Sequence, residues 1–345
     1  MNMLNAGRYG AILIGILSTL TFLAPSAFSQ ETVVLLEAGA FVKTMPDGTQ
    51  VAMWGYGLRS NGQATEFSSP GPTIEVPAGN TLRVSLRNSL PVPISIMIPG
   101  QPMPVTPNNA NHVSVRFPAN DMEYPSRMRS FVRETNPGQT RNYLFENIHA
   151  GTFLYHSGTH PYLQVQMGLA GMATVEAAPG VPYVGEVFDQ EIPLIYTEID
   201  VDWHIAIAGD PLLGVLGDPT TAMTVDYEPD YALVNGSTFD PSNPAPIATV
   251  TEGDRCLIRC LNAGIGDHTA TFLERVTEIA EDGNPTPFPR TRTTVFLAAS
   301  KTKDLVFQPS APGTVTIFDR LGAVSDGPGT SGGLIAPIEV APATP

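Results

Sequence analysis

Six histidines, two cysteines and eleven methionines set the metal and proton chemistry open to this chain. The densest group is Tyr155-His156-Ser157-Gly158-Thr159-His160-Pro161, where a turn at Ser157-Gly158 would bring two imidazoles together. With a thioether from Met97, Met103 or Met167, that pair would form a soft, low-coordination site for one copper ion. The competing reading is that both histidines hydrogen-bond in a loop that locks the domains together. Two imidazoles without a third strong donor hold a metal weakly and exchange it. Of the remaining histidines, His112 reads as a structural strand residue and His149 as a solvated residue before the Ala150-Gly151 turn. Asp202-Trp203-His204 has no nucleophile beside it and reads as a loop after a strand ending at Glu198-Ile199.

The cysteines, Cys256 and Cys260, lie on one strand-like run, Asp254 to Leu261. Residues four apart on a strand share a face at about 13 Å. A disulfide tolerates only about 7 Å between Cα atoms, so two buried free thiols are expected. The chain has no Gly-x-Ser-x-Gly elbow, P-loop or His-Glu-x-x-His, and the Glu281-Asp282 pair falls in a Gly-Asn turn where solvation is the default. No catalytic residue is assigned.

The elements that would position these groups are short strands. Val33–Leu36, Thr81–Leu86, His112–Phe117, Asn142–Phe145, Gly171–Val175, Glu191–Tyr196, Leu305–Phe307 and Thr314–Phe318 are apolar or β-branched runs bounded by Gly, Pro, Asn or Asp. A single helical turn is expected around Gln164 to Leu169. Thr73–Val84 and Ala248–Arg259 share one grammar: strand, Gly-polar turn, strand, and an exit at Asn88 or Asn262. That repetition reads as a diverged duplication. The fold class is all-β, with two Greek-key β-sandwich or barrel domains over residues 30–178 and 184–345 and a linker at 179–183.

Residues 1–29 have the layout of a secretory signal peptide: Arg8 without acids, an apolar run from Ala11 to Leu23, and Ala27-Phe28-Ser29 as a small-x-small site. The expected destination is the periplasm or the exterior, with no transmembrane segment after signal removal. The formal charge of −15 argues against a nucleic-acid partner, since phosphate binding needs a basic surface. An exported protein or a small ligand is the partner class that remains, and homo-oligomerisation stays open.

Pro70-Gly71-Pro72-Thr73-Ile74, Val76-Pro77-Ala78-Gly79-Asn80, Asn136-Pro137-Gly138-Gln139-Thr140, Ala150–Ser157 and Gln166–Gly171 resemble, in order, the first domain of multicopper oxidases. Tyr231–Gly236, Arg259–Gly264, Ala280–Asn284 and Ala311-Pro312-Gly313 resemble that family's middle domain, which ordinarily carries no copper. The resemblance implies cupredoxin-like domains throughout. It also identifies the departures. Met97 and Pro99 stand where the first histidine ligand pair belongs. At the second pair His156 remains, but Gly158 replaces its partner. The His-x-x-His-x-His and His-Cys-His runs of the copper-bearing last domain are missing. Met103 lies in the loop that follows the first pair in the family. Asp267-His268 falls at a family turn and is expected to make a domain-interface contact. The six histidines cannot supply a three-copper cluster and a blue-copper site together. Intact oxidase activity is therefore not expected of this chain alone. The leading reading is an exported, non-catalytic binding or scaffold protein with degenerate copper sites. The alternatives are copper handling through His156 and His160, or a partial subunit of a copper-dependent oxidoreductase.

Overall fold

The computed structural model describes residues 30–64, 66–105, 115–116, 119–120, 122, 127–209, 217–218, 227–321 and 333–343. The expected signal peptide, the strand containing His112 up to residue 114, and the extreme tail lie outside the described residues. In chain order the N-terminal part contains β1 (Glu31–Thr44), β2 (Gln50–Ser60), β3 (Gln63–Ala64), β4 (Gly71–Val76), β5 (Thr81–Asn88), β6 (Val115–Arg116), β7 (Met128–Ser130), β8 (Thr140–Phe145), β9 (Gly151–His156), α1 (Pro161–Gln164) and β10 (Ala170–Val175). The C-terminal part contains β11 (Gln190–Ile199), α2 (Val201–Ala208), β12 (Tyr231–Val234), β13 (Ala248–Thr251), β14 (Cys256–Asn262), β15 (His268–Glu281), β16 (Asn284–Leu297), β17 (Thr302–Phe307), β18 (Gly313–Asp319) and β19 (Ile335–Ala341). The protein is all-β. No helix among the described residues is long and apolar enough to cross a membrane.

Alternation decides which way each strand faces. In β5, Leu82, Val84, Leu86 and Asn88 are buried while Thr81, Arg83, Ser85 and Arg87 are partly exposed. Period-two patterning of this kind covers one face of a sheet. The sheet β3-β2-β1-β5-β8 and the sheet β4-β10-β9 then close over one core, which includes Leu36, Val84, Phe145, Ile74, Phe153 and Tyr155. The C-terminal strands run β12-β11-β14-β17-β15-β18-β19-β13, with β16 paired to β15, around a second core that includes Leu194, Ile258, Phe272, Phe307 and Ile338.

The two parts repeat one pairing scheme. β5 lies parallel to β1 and antiparallel to β8, while β14 lies parallel to β11 and antiparallel to β17. Likewise β4 pairs parallel with β10, and β13 with β19. The exit asparagines match in function. Asn88 Nδ2 donates to the carbonyls of Val92 and Thr135 while its Oδ1 accepts from Leu90 N–H. Asn262 Nδ2 donates to Gly266 and Leu297 while its Oδ1 accepts from Gly264 N–H.

The structure changes two local expectations. The helical turn begins earlier than expected: α1 occupies Pro161–Gln164, because Pro161 has no N–H to offer and is preorganised for the first helical position. Asp202-Trp203-His204 is not a loop but lies inside α2. Asp200 makes the helix possible by accepting the Trp203 N–H at 2.8 Å as its N-cap. Trp203 and Ile207 of α2 join the N-terminal core. Two further clusters are shared: Met45, Val51 and Met53 pack with Ile199, Tyr231 and Leu233, and Leu154, Ala170 and Met172 with Ile195, Leu261 and Ala263.

Candidate metal centre

β9 is buried along its whole length and ends at His156. Beyond the named strands, Met97 pairs with His156 as an isolated antiparallel bridge. Met97 N–H donates to the His156 carbonyl at 2.9 Å, and His156 N–H donates back at 3.0 Å. Two residues that exchange both bonds are direct opposites, so their side chains stand on one face of the sheet. His156 Nδ1 lies 2.8 Å from the Ser157 carbonyl. A carbonyl only accepts, so the proton is assigned to Nδ1 and the lone pair to Nε2. Burial holds this imidazole below the ordinary histidine range, against the opposing pull of the Ser157 carbonyl. It is neutral at pH 7.

Met97 and Ser95 would also crowd a side chain at 158. A Cβ on Gly158 would stand 3.2 Å from Met97 Sδ and 3.2 Å from Ser95 Oγ. Around them runs a web of uncharged groups. Thr159 Oγ1 donates within a cluster with Ser95 Oγ and Ser130 Oγ, each 3.0 Å away, and Ser130 Oγ donates to the Val132 carbonyl at 2.7 Å. Ser157 Oγ donates to Gln164 Oε1 at 2.5 Å, and Gln164 Nε2 to the Pro93 carbonyl at 2.9 Å. Pro99 sits in the turn that follows Met97. These hydroxyls and amides fix the loops of the region by satisfying one another, so their donors and acceptors are committed.

His160 is placed differently. It is the N-cap of α1 with φ 40°, its N–H donates to the Arg129 carbonyl at 2.9 Å, and its ring lies 6.2 Å from that of Tyr162. Burial lowers its proton affinity, with Glu134 pulling the other way. Met103 packs partly buried on the N-terminal core, and Met167 is a core side chain at 0% exposure. Of the expected ligand set, the structure therefore sets Met97 opposite His156, gives His160 the start of a helix and Met167 a place in the core. Among the described residues no group of three or more His, Cys, Asp or Glu side chains has metal-holding geometry.

The other histidines and both cysteines lie apart from this centre. His149 is exposed. His204, fully buried on α2, has Nδ1 2.9 Å from the Ala52 carbonyl, tying α2 to β2. His268 corrects its expected interface role: it begins β15 and is 2% exposed inside the C-terminal part. Its Nε2 lies 3.2 Å from Glu198 and its Nδ1 3.3 Å from Asp319. Buried carboxylates compel a partner, and this one comes from a residue that the sequence presents as part of a turn. Cys256 and Cys260 are free and buried, and burial pushes the Cys256 thiol up to about 11. A second buried network escaped sequence reading because its members are far apart in the chain. Arg259 reaches Thr152 and Glu191, and Thr152 Oγ1 donates to Asp304 at 2.8 Å. Tyr183 donates to the other Asp304 oxygen.

Residues 130–180 match the family model described as multicopper oxidase. No curated protein matches the chain in sequence. Among solved structures, a blue copper oxidase from Nitrosomonas europaea is 22% identical with a TM-score of 0.67, covering 90% of this chain and 86% of that one. The multicopper oxidase mgLAC is 21% identical with a TM-score of 0.68 over 90% and 86%. A copper nitrite reductase from Nitrosomonas europaea is 19% identical with a TM-score of 0.63 over 90% and 94%. The fold is thus the paired cupredoxin-like fold of multicopper oxidases and copper nitrite reductases.

Proposed function

We propose that this multicopper-oxidase-like chain is an exported binding or scaffold protein in which the positions of the copper ligands have been turned to packing. The observation that carries the reading is the close approach of Met97 to position 158. A Cβ at 158 would press on the thioether and on the Ser95 hydroxyl, each 3.2 Å away, and the hydroxyls around them bond to one another. A copper cluster does not fit these residues, because four ligand positions of the resemblance offer one imidazole, one thioether, Pro99 and Gly158. The cysteines add nothing to the donor set, since both lie in the C-terminal core and neither has a flanking histidine. The charged, apolar and small residues of positions 1–29 support export. Copper titration of the purified protein, followed by absorption and spin resonance, tests the reading. The expected result is no intense band near about 600 nm, where a Cu–thiolate centre absorbs. Such a band, lost in a Cys256→Ser, Cys260→Ser variant, would overturn it.

A second reading is favoured by one observation. Met97 and His156 share a sheet face, and His156 keeps a lone pair on Nε2. A nitrogen and a thioether suit a single Cu(I) ion, with His160 as the further candidate donor. Cu(I) competition against a chelator separates the two readings. Copper handling requires one equivalent held by the wild type and released by His156→Ala, His160→Ala; equal retention by both proteins would remove it.

A further inference from the structure

The Asn235-Gly236 turn after β12 is a point of contact between the two parts of the molecule. Both residues have positive φ, 52° and 78°, and a Cβ on Gly236 would stand 2.6 Å from the Ser69 carbonyl oxygen. The close approach explains the glycine. Lys43, near the end of β1, donates from Nζ to the Gly236 carbonyl at 2.7 Å. The other two lysines, Lys301 and Lys303, each sit 3.0 Å from a carboxylate. Lys43 differs from them. Among the described residues no carboxylate reaches it, and burial alone pulls its ammonium below the usual lysine range. A half-buried cation with no counter-ion among the described residues is anomalous in a chain with 33 acids and 18 bases.

Lys43 lines a cleft of about 240 Å³ together with Ser237 and Thr238. The same two hydroxyl residues line an adjoining cleft of about 310 Å³ that continues over Phe239, Ile247 and Ile335. The two spaces share Ser237 and Thr238 in their walls, and taken together as one groove they offer a cation and hydroxyls on one side and an apolar wall on the other. One ammonium donor is engaged by Gly236, which leaves two. Asp240 lines the second cleft and is held by Ser242 N–H at 2.8 Å, so a second negative charge there would be repelled.

We propose that this groove binds a monocarboxylate with an apolar tail, the carboxylate on Lys43 and the tail against Phe239, Ile247 and Ile335. A single ammonium matches a single negative charge, whereas a phosphate dianion would leave one charge uncompensated. Burying the tail and pairing the charge are gains that a short carboxylate or an alkylamine cannot both have. The inference gives a ligand class to the binding role proposed above, and depends on that role only in taking the chain to be a binding protein.

Calorimetric titration of the full chain with hexanoate, acetate, hexanol and hexylamine tests it. Hexanoate is expected to bind one per chain, at least tenfold more tightly than acetate, with no heat from hexylamine. Lys43→Met is expected to weaken hexanoate at least tenfold, and Phe239→Ala, which leaves the Lys43–Gly236 contact intact, at least threefold. Absence of hexanoate heat at millimolar concentration, equal affinity in wild type and Lys43→Met, or hexylamine binding as tightly as hexanoate would each overturn the proposal. If Lys43→Met unfolds, Phe239→Ala decides alone, and unchanged hexanoate affinity there counts against the site. Copper titration of the same preparations reads out the closed ligand positions independently, so failure here leaves that reading intact.

Discussion

His268 shows how much one residue can carry when its partners are fixed. Burial by itself would depress its proton affinity, but the Asp319 and Glu198 carboxylates on either side raise it to about 9. The folded protein therefore keeps this proton where the unfolded chain, with an ordinary value near about 6.5, releases it. The stabilisation is fully present below about pH 6.5 and is lost as pH rises through about 9, and the shift corresponds to about 3 kcal/mol. Melting temperature should fall between pH 6.5 and 9 in the wild type. In His268→Gln it should start lower and stay flat across that window. A wild-type profile that is flat there would contradict the buried imidazolium. The sequence shows only Asp267-His268 in a family turn, because Glu198 and Asp319 are distant in the chain and nothing local marks them as partners. His156 was legible for the opposite reason: its position follows from motifs that run in order along the chain.

At the scale of elements, α2 is the instructive case. Val201, Trp203, Ile205 and Ile207 alternate with Asp202, His204, Ala206 and Ala208, a period of two that gives no helical signal, and the segment reads as a loop. The chain forms a helix because Asp200 caps it, also accepting Glu228 N–H at 2.8 Å. The helix buries Trp203, His204 and Ile207, which share one side at helical spacing. Tertiary packing overrides the apparent period. Trp203 stacks edge-on against Tyr227 at 5.9 Å and belongs to the N-terminal core although it follows β11. Trp203→Ala should cost about 3–5 kcal/mol in urea unfolding, as for other large aromatic truncations in a core. A loss below about 1 kcal/mol would mean that α2 is peripheral. The strands were read in part: Val33–Leu36, Thr81–Leu86, Asn142–Phe145, Gly171–Val175, Glu191–Tyr196, Leu305–Phe307 and Thr314–Phe318 fall inside β1, β5, β8, β10, β11, β17 and β18, because their alternation and punctuation are local, whereas β2, β9, β12, β15, β16 and β19 were not named as strands.

For the whole molecule, the question is whether its two parts melt separately. The Arg259 network crosses between them: Thr152 on β9 meets Asp304 on β17 and Arg259 on β14, and Thr302 Oγ1 donates to the Thr152 carbonyl at 2.8 Å. Shared apolar clusters reinforce the junction. Calorimetry should show one transition. Burial pushes the Asp304 carboxyl up while Arg259 holds it down. Arg259→Met should therefore cost about 3–5 kcal/mol at pH 8, the usual penalty for stranding a buried charge. The cost should shrink at pH 4, where Asp304 can take a proton instead. A variant equally destabilised at both pH values would show that Arg259 acts through packing alone. The duplicated strand grammar made the repeated pairing legible in each part. The junction was not legible, because its residues lie more than 100 positions apart.

The approach of Met97 to position 158 also imposes a sequence of events on any attempt to install a ligand side chain at 158. With the thioether in place, a histidine at 158 presses on Met97 and Ser95, each with an atom 3.2 Å from its Cβ, so that change taken first requires both neighbours to shift. Shortening residue 97 first opens the space, after which a side chain at 158 can be tried against the hydroxyl of Ser95, which can rotate. The two positions are expected to depend on each other, with the easier route running through 97 before 158. A selection experiment that offers both changes one at a time should recover the path that changes 97 first more often than the reverse.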